Sequence, residues 1–131
     1  MSWVSPSNTK IVGRGWDVLP AENRKGVIII CHGLGEHIGR YEHLASFFNH
    51  YGFVVMGSDR SGHGRSGNKR GHINQYQDVF FDIDQNIHYA QNNFTGLPIF
   101  LYGQSMGGGI VIDYLLNHYK ESVRGLSLIH I

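Results

Sequence analysis

At 131 residues the chain is long enough for one domain with a real core. Hydrophobic residues at 41% and charged ones at 16% exclude a disordered chain. A formal net charge of +1, with no Lys/Arg cluster forming a basic face, argues against nucleic acid as a partner.

The opening Met1 to Ile11 has neither a basic n-region nor an apolar h-region, so no signal peptide is expected there. No apolar run reaches membrane-spanning length, and a cytoplasmic or peripheral membrane location is expected. The single cysteine, Cys31, rules out a disulfide within the chain and suits a reducing compartment. It precedes a histidine, so a Cys/His catalytic pair is one reading; a small buried hydrophobe at a strand end is the other.

In chain order, Trp3-Val4-Ser5 and Thr9 to Trp16 predict a hairpin around Pro6-Ser7-Asn8. Pro20 to Lys25 is a polar connection. Val27-Ile28-Ile29-Ile30-Cys31 is a continuous β-branched run, the mark of a strand buried on both faces. Arg40 to Tyr51 predicts a helix with Leu44, Phe47, Phe48 and Tyr51 on one face. Phe53-Val54-Val55-Met56 is a second buried strand, followed by a Gly-rich loop from Arg60 to Gln75. Asp78 to Phe94 predicts a helix with Phe80, Ile83, Ile87, Ala90 and Phe94 on one face, and Asp78, Asp82 and Asp84 near its positive end. The Phe and Tyr stripes on these helices are expected in the core rather than around a ligand. Pro98 to Tyr102 is a third buried strand; Ile110, Val111, Tyr114, Leu115 and His118 then recur at helical spacing, and a further strand starts at Val123. Strands alternating with helices predict an α/β unit whose mostly parallel sheet is covered on both faces.

Between that third strand and its helix lies Gly103-Gln104-Ser105-Met106-Gly107. A serine with glycine at both second neighbours, between a buried strand and a helix, is the G-x-S-x-G nucleophile elbow. The turn is sharp enough to strain the serine backbone, and a side chain at Gly103 or Gly107 would collide with neighbouring backbone. In return the Ser105 hydroxyl stands at the carboxyl edge of the sheet, where the Met106 amide can face a developing oxyanion. The competing reading makes Ser105 an ordinary helix cap.

A second signal follows Cys31: His32-Gly33-Leu34-Gly35-Glu36-His37. Gly33 and Gly35 allow a tight turn with inward backbone amides, and in α/β-hydrolases the second oxyanion donor comes from such a loop. The two motifs together are far more specific than either alone.

The stretch from His32 to Tyr41 resembles the HGxGEHxxRY signature of the monoacylglycerol lipase and lysophospholipase group of α/β-hydrolases, a group often named together with serine aminopeptidases. Asp59 to Ser66 is similar to its DxRGHGxS segment, with Ser61 where Gly is usual; Arg70-Gly71-His72 and the acidic helix near Asp78 also match. Gly103 to Gly108 looks like its GHSMGG elbow, with Gln104 where His is common. The resemblance implies Ser105 as nucleophile and the amides of Leu34 and Met106 as oxyanion donors. It implies no cofactor, a small lipid ester as substrate, and room for peripheral membrane contact in the full protein. Gln104 is expected to turn away from the substrate, and Ser61 leaves the conformation of its crowded loop open.

In this fold the triad follows the order Ser, then Asp/Glu, then His. After Ser105 the only candidates are Asp113 and Glu121, His118 and His130. Asp113 and His118 lie on the helix leaving the nucleophile, and His130 is one residue from the end. The expectation is therefore the N-terminal part of a single α/β-hydrolase domain, ending after about the sixth strand, and inactive by itself although the full protein is an enzyme. Its last residues, Leu126-Ser127-Leu128-Ile129-His130-Ile131, are also the translation of CTG-TCT-CTT-ATA-CAC-ATC, a transposon end used to fragment DNA for sequencing. Residues 126–131 are thus expected to be non-native, the alternative being an apolar strand cut by chance; other synonymous codons in the DNA would discard the first reading.

Three further readings stand beside the hydrolase. Nine histidines invite a metal site through His32, His37, His43, His63 and His72, but none shows a zinc-ligand spacing. Gly33-x-Gly35-x-x-x-Gly39 after a strand, with Asp59 closing the next, imitates a dinucleotide fingerprint whose third glycine is one place too far. A peptidase of the same fold, or a hydrolase-like binder without catalysis, would share the elbow. The reading adopted is a serine hydrolase of carboxylic esters acting through an acyl-enzyme on Ser105.

Overall fold

The computed structural model describes residues 1–71, 76–118 and 123–129, the last stretch as backbone alone. Its core begins with β3 (Gly26–Cys31), whose Val27 and Ile29 are fully buried and whose Ile28 and Ile30 are 7% and 1% exposed. Alternation divides this continuous apolar run between two layers. Val27 and Ile29 pack with α2 (Tyr76–Asn93) and α3 (Met106–Asn117). Ile28 and Ile30 pack on the other face with Ile38, Tyr41 and Ala45, around the start of α1 (Glu42–His50).

The sheet has six strands in the order β1-β2-β4-β3-β5-β6. β1 (Ser2–Val4) and β2 (Lys10–Trp16) form the expected antiparallel hairpin, and β2 runs antiparallel to β4 (Phe53–Ser58). The other pairings are parallel: β4 with β3, β3 with β5 (Ile99–Gln104), and β5 with β6 (Val123–Ile129). The register of β3 on β5 sets Cys31 beside Gly103, so the chain leaves both strands at the same sheet edge. This pairing brings the two sequence motifs together.

Two expectations about the helices need correction. The segment predicted as one helix from Arg40 begins as a 3-10 turn, Ile38–Tyr41, and the α-helix starts only at Glu42. Phe47 and Tyr51, expected in the core, are 57% and 54% exposed, with their rings 5.2 Å apart on the outside. The face that meets the sheet is Tyr41, Ala45 and half-buried Phe48; small Ala45 allows close approach, and the apolar stripe is wider than the sheet can cover.

In α2 only Asp78 lies in the first turn; Asp82 and Asp84 sit beyond the reach of the terminal dipole. Asp82 is buried and accepts a hydrogen bond from Trp3 Nε1 at 2.8 Å. Burial pushes its carboxyl up to about 7, the Trp3 hydrogen bond opposing and neighbouring Asp78 adding to the shift. Asp84 instead accepts from the Tyr114 hydroxyl at 2.6 Å and pairs with His118 Nε2 at 2.8 Å, tying α2 to α3. No described helix is long and apolar enough to cross a membrane.

Candidate active site

Ser105 stands alone between the end of β5 and the start of α3, exposed, at φ 54° and ψ −119°. Few residues other than glycine occupy positive φ, and the surroundings must hold such a conformation in place. They do so through the two flanking glycines. A Cβ at Gly103 would come 2.6 Å from the Gly107 carbonyl oxygen, and one at Gly107 would come 2.0 Å from the Cys31 carbonyl oxygen. The Ser105 side chain makes no capping hydrogen bond, which removes the helix-cap reading. Among the described residues nothing is hydrogen-bonded to its hydroxyl.

The loop after β3 packs against this elbow. A Cβ at Gly33 would meet Glu36 Oε1 at 2.7 Å and the Gln104 carbonyl oxygen at 3.1 Å. Gly35, at φ 72°, has open space around it. Leu34, between them, is 66% exposed. Its amide and that of Met106, the first residue of α3, find no acceptor among the described residues. The Gly33 amide, by contrast, is taken: it donates to Glu36 Oε1 at 2.6 Å. An open groove of about 330 Å³ runs from Leu34 and Gly35 to Gly62, His63 and Arg70.

Behind the loop, His32 is 1% exposed and both its nitrogens are engaged. Arg60 N–H donates to Nε2 at 3.0 Å, so the proton lies on Nδ1, which donates to the Gly33 carbonyl at 2.8 Å. Burial, with the Arg60 guanidinium adding to it, pushes the imidazole down to about 4. His32 is a neutral strut. The buried Arg60 guanidinium donates to the His32 carbonyl and lies 3.9 Å from Met106 Sδ, bracing loop and elbow from below.

The competing readings lose their residues to structural work. Asp59, the acid of the dinucleotide-like pattern, is buried and accepts from the amides of Ile38 at 2.7 Å and Arg65 at 2.9 Å. Burial pushes the Cys31 thiol up to about 11, so it is no thiolate nucleophile. His63 is buried with Nδ1 3.0 Å from the Ser61 carbonyl, His37 and His43 are exposed, and His72 lies outside the described residues. Among the described residues no three potential metal ligands converge. His118 is committed to Asp84 at the far end of α3, about 18 Å along a twelve-residue helix. His130 and Glu121 lie outside the described residues.

Ser61 fits without positive φ, the next residue, Gly62, taking φ 76° instead; Asn68 Nδ2 donates to the Ser61 hydroxyl at 3.0 Å. Gln104 does more than turn away: its half-buried side chain lies 3.2 Å from the Tyr41 hydroxyl, which itself donates to Glu36 Oε1 at 3.0 Å. Glu36 and Tyr41 stood in the quoted motif without a role. Nothing in residue spacing says that their side chains meet, since the link closes through Gln104, far along the chain at the end of β5.

Fold, strand order and elbow together define an α/β-hydrolase. The family model described as serine aminopeptidase, S33, matches residues 22–129, and the chain belongs to that family. It is 38% identical over 113 residues to a monoacylglycerol lipase of Mycolicibacterium smegmatis, covering 86% of this chain and 40% of that protein. It is 39% identical over 93 residues to the human monoglyceride lipase, covering 71% of this chain and 31% of the other. In three dimensions it is similar to a carboxyl esterase of Bacillus coagulans, with a TM-score of 0.85, 28% identity, and coverage of 98% of this chain and 42% of that one. The chain thus spans well under half the length of these relatives.

Proposed function

We propose that the chain is the N-terminal part of a serine hydrolase of carboxylic esters, with a monoacylglycerol or lysophospholipid as substrate. The observation that carries this reading is the strained, exposed Ser105 on an elbow against which the Gly33 loop packs, with the amides of Leu34 and Met106 left without acceptors among the described residues. Ser105 Oγ would attack the ester carbonyl while a base takes its proton, and the carbonyl oxygen would gain charge between the two amides. Each such donor is worth about 3–4 kcal/mol in comparable sites. Collapse expels the alcohol and leaves an acyl-serine, which water then hydrolyses. The base and its orienting acid would come from outside this chain, so these 131 residues by themselves should turn over little or nothing. The exposed Leu34 side chain, on the groove that runs to His63 and Arg70, would offer an acyl chain apolar contact.

The test is covalent labelling of the full-length protein by a fluorophosphonate. Ser105→Ala should abolish it; persistent labelling would remove the assignment. A soluble, monomeric preparation of residues 1–131 that hydrolysed a long-chain monoglyceride would overturn the expectation for the isolated chain. The family's description as serine aminopeptidase favours a second reading, a peptidase using the same nucleophile. Comparing kcat/KM on a monoglyceride and on an aminoacyl anilide separates the two.

A further inference from the structure

We infer that Glu36 is a positioning residue: through Gly33 on one side and Tyr41 and Gln104 on the other, it fixes the loop bearing the Leu34 amide against the end of the strand that leads into Ser105. This rests on the assignment of Ser105 as nucleophile and adds to it the group that holds the oxyanion site in register.

The loop would be loose if its backbone were all that held it. Gly33 to Glu36 closes through one long main-chain bond, Glu36 N–H to the Gly33 carbonyl at 3.3 Å. The positive φ at Gly35 is what a type II turn requires of its third residue. The Glu36 carboxylate closes the same turn from the other side: Oε1 accepts the Gly33 amide at 2.6 Å, a short charge-assisted bond. With Gly33 N–H thus occupied, Leu34 N–H is the first amide of the turn left without an acceptor among the described residues.

The same oxygen reaches across to the elbow. Oε1 accepts the Tyr41 hydroxyl at 3.0 Å, and that hydroxyl lies 3.2 Å from the side-chain amide of Gln104, directly before Ser105. A phenol has one proton to give. With that proton on Glu36, the arrangement that satisfies Gln104 turns its NH2 toward the phenol oxygen. Burial, and next the carboxylate itself, hold the phenol above its ordinary range, so it stays a donor. The other carboxylate oxygen lies 3.4 Å from Arg40, and the Glu36 side chain is only 12% exposed. One carboxylate therefore connects two segments whose relative position sets the distance between nucleophile and oxyanion donor.

Donors in such sites act within a window of a few tenths of an ångström, and a misplacement of about 1 Å costs on the order of 100-fold in rate. The experiment uses the full-length protein with a short-chain nitrophenyl ester and a trifluoromethyl ketone, whose adduct with the serine carries an oxyanion. Glu36→Ala should lower kcat about 30- to 100-fold with little change in KM, and weaken trifluoromethyl ketone binding by a similar factor. Glu36→Gln keeps an acceptor for Gly33 N–H and should recover most of that loss. Tyr41→Phe, which cuts only the link to Gln104, should cost about tenfold in kcat. Wild-type kcat in Glu36→Ala, or a loss confined to KM, overturns the inference. If Glu36→Ala does not fold, Tyr41→Phe decides, and wild-type kcat there overturns it. Failure of the underlying assignment looks different: Ser105→Ala would still react with the fluorophosphonate, whatever the Glu36 variants do.

Discussion

Gly107 and Cys31 are in contact through backbone alone: a Cβ on the glycine would lie 2.0 Å from the cysteine carbonyl oxygen and 2.7 Å from its carbonyl carbon. The first turn of α3 is thereby pressed onto the end of β3, and neither partner is a flexible side chain that could move aside. Gly109, two residues on, is exposed and has nothing within 4 Å of the same added atom. One substitution should therefore have opposite signs on one helix. Gly107→Ala should destabilise by about 3 kcal/mol, and Gly109→Ala should stabilise by about 0.5–1 kcal/mol. Urea unfolding of both variants gives the comparison; equal effects would contradict the packing described.

The backbone of Ser105 is strained independently of its hydroxyl. Ser105→Gly should gain about 1 kcal/mol, since relief at φ 54° exceeds the extra chain entropy that glycine loses on folding. Ser105→Ala keeps the strain and should leave stability near the parent value. Both should lose fluorophosphonate labelling. Thermal melts that rank alanine above glycine would show that the elbow is relaxed.

Two buried groups should oppose each other in acid. His32, pushed down to about 4 against an ordinary 6.5, takes up its proton more readily when unfolded. Its stability contribution is complete above about pH 6.5 and is lost as pH falls to 4, about 3 kcal/mol in all. Asp82, raised from 3.8 to about 7, behaves in reverse: its contribution is complete below 3.8 and is lost as pH rises through 7, about 4 kcal/mol. Between pH 4 and 6.5 the two slopes nearly cancel. Asp82→Asn, which keeps an acceptor for Trp3, should expose the His32 slope. Its unfolding free energy should drop by about 3 kcal/mol from pH 6.5 to 4, while the parent stays nearly flat. Parallel profiles would refute this pairing of opposed titrations.

Cys31 should be a poor nucleophile. With the thiol pushed up from 9.0 to about 11, its thiolate at pH 8 is about a hundredfold scarcer than for an ordinary cysteine. Iodoacetamide labelling, mapped to the Cys31 peptide, should be correspondingly slow in native protein and fast in urea. Equal rates would return the Cys/His pair to consideration.

The elbow, the buried strands and their helical crossovers were legible in sequence because each is written in short-range terms. A β-branched run, glycines two residues either side of a serine, and apolar spacing are local demands of the backbone. The order of the motifs along the chain, with the fold's handedness, then constrained where they would meet. Beyond that range the sequence was silent or misleading. It marked Phe47 and Tyr51 as core because periodicity records where apolar residues fall on a helix, and cannot tell which part of that stripe a sheet covers. It placed Asp82 at a helix dipole, whereas burial beside Trp3, contributed by the N-terminal hairpin, raises its carboxyl. Local pattern was enough for the tight turn at Ser105 and for the class of fold around it. That Glu36, Tyr41 and Gln104 form one connection between loop and elbow is visible only in three dimensions. The register of β3 on β5 brings those side chains within hydrogen-bond distance, and strand register is fixed by packing across the whole sheet.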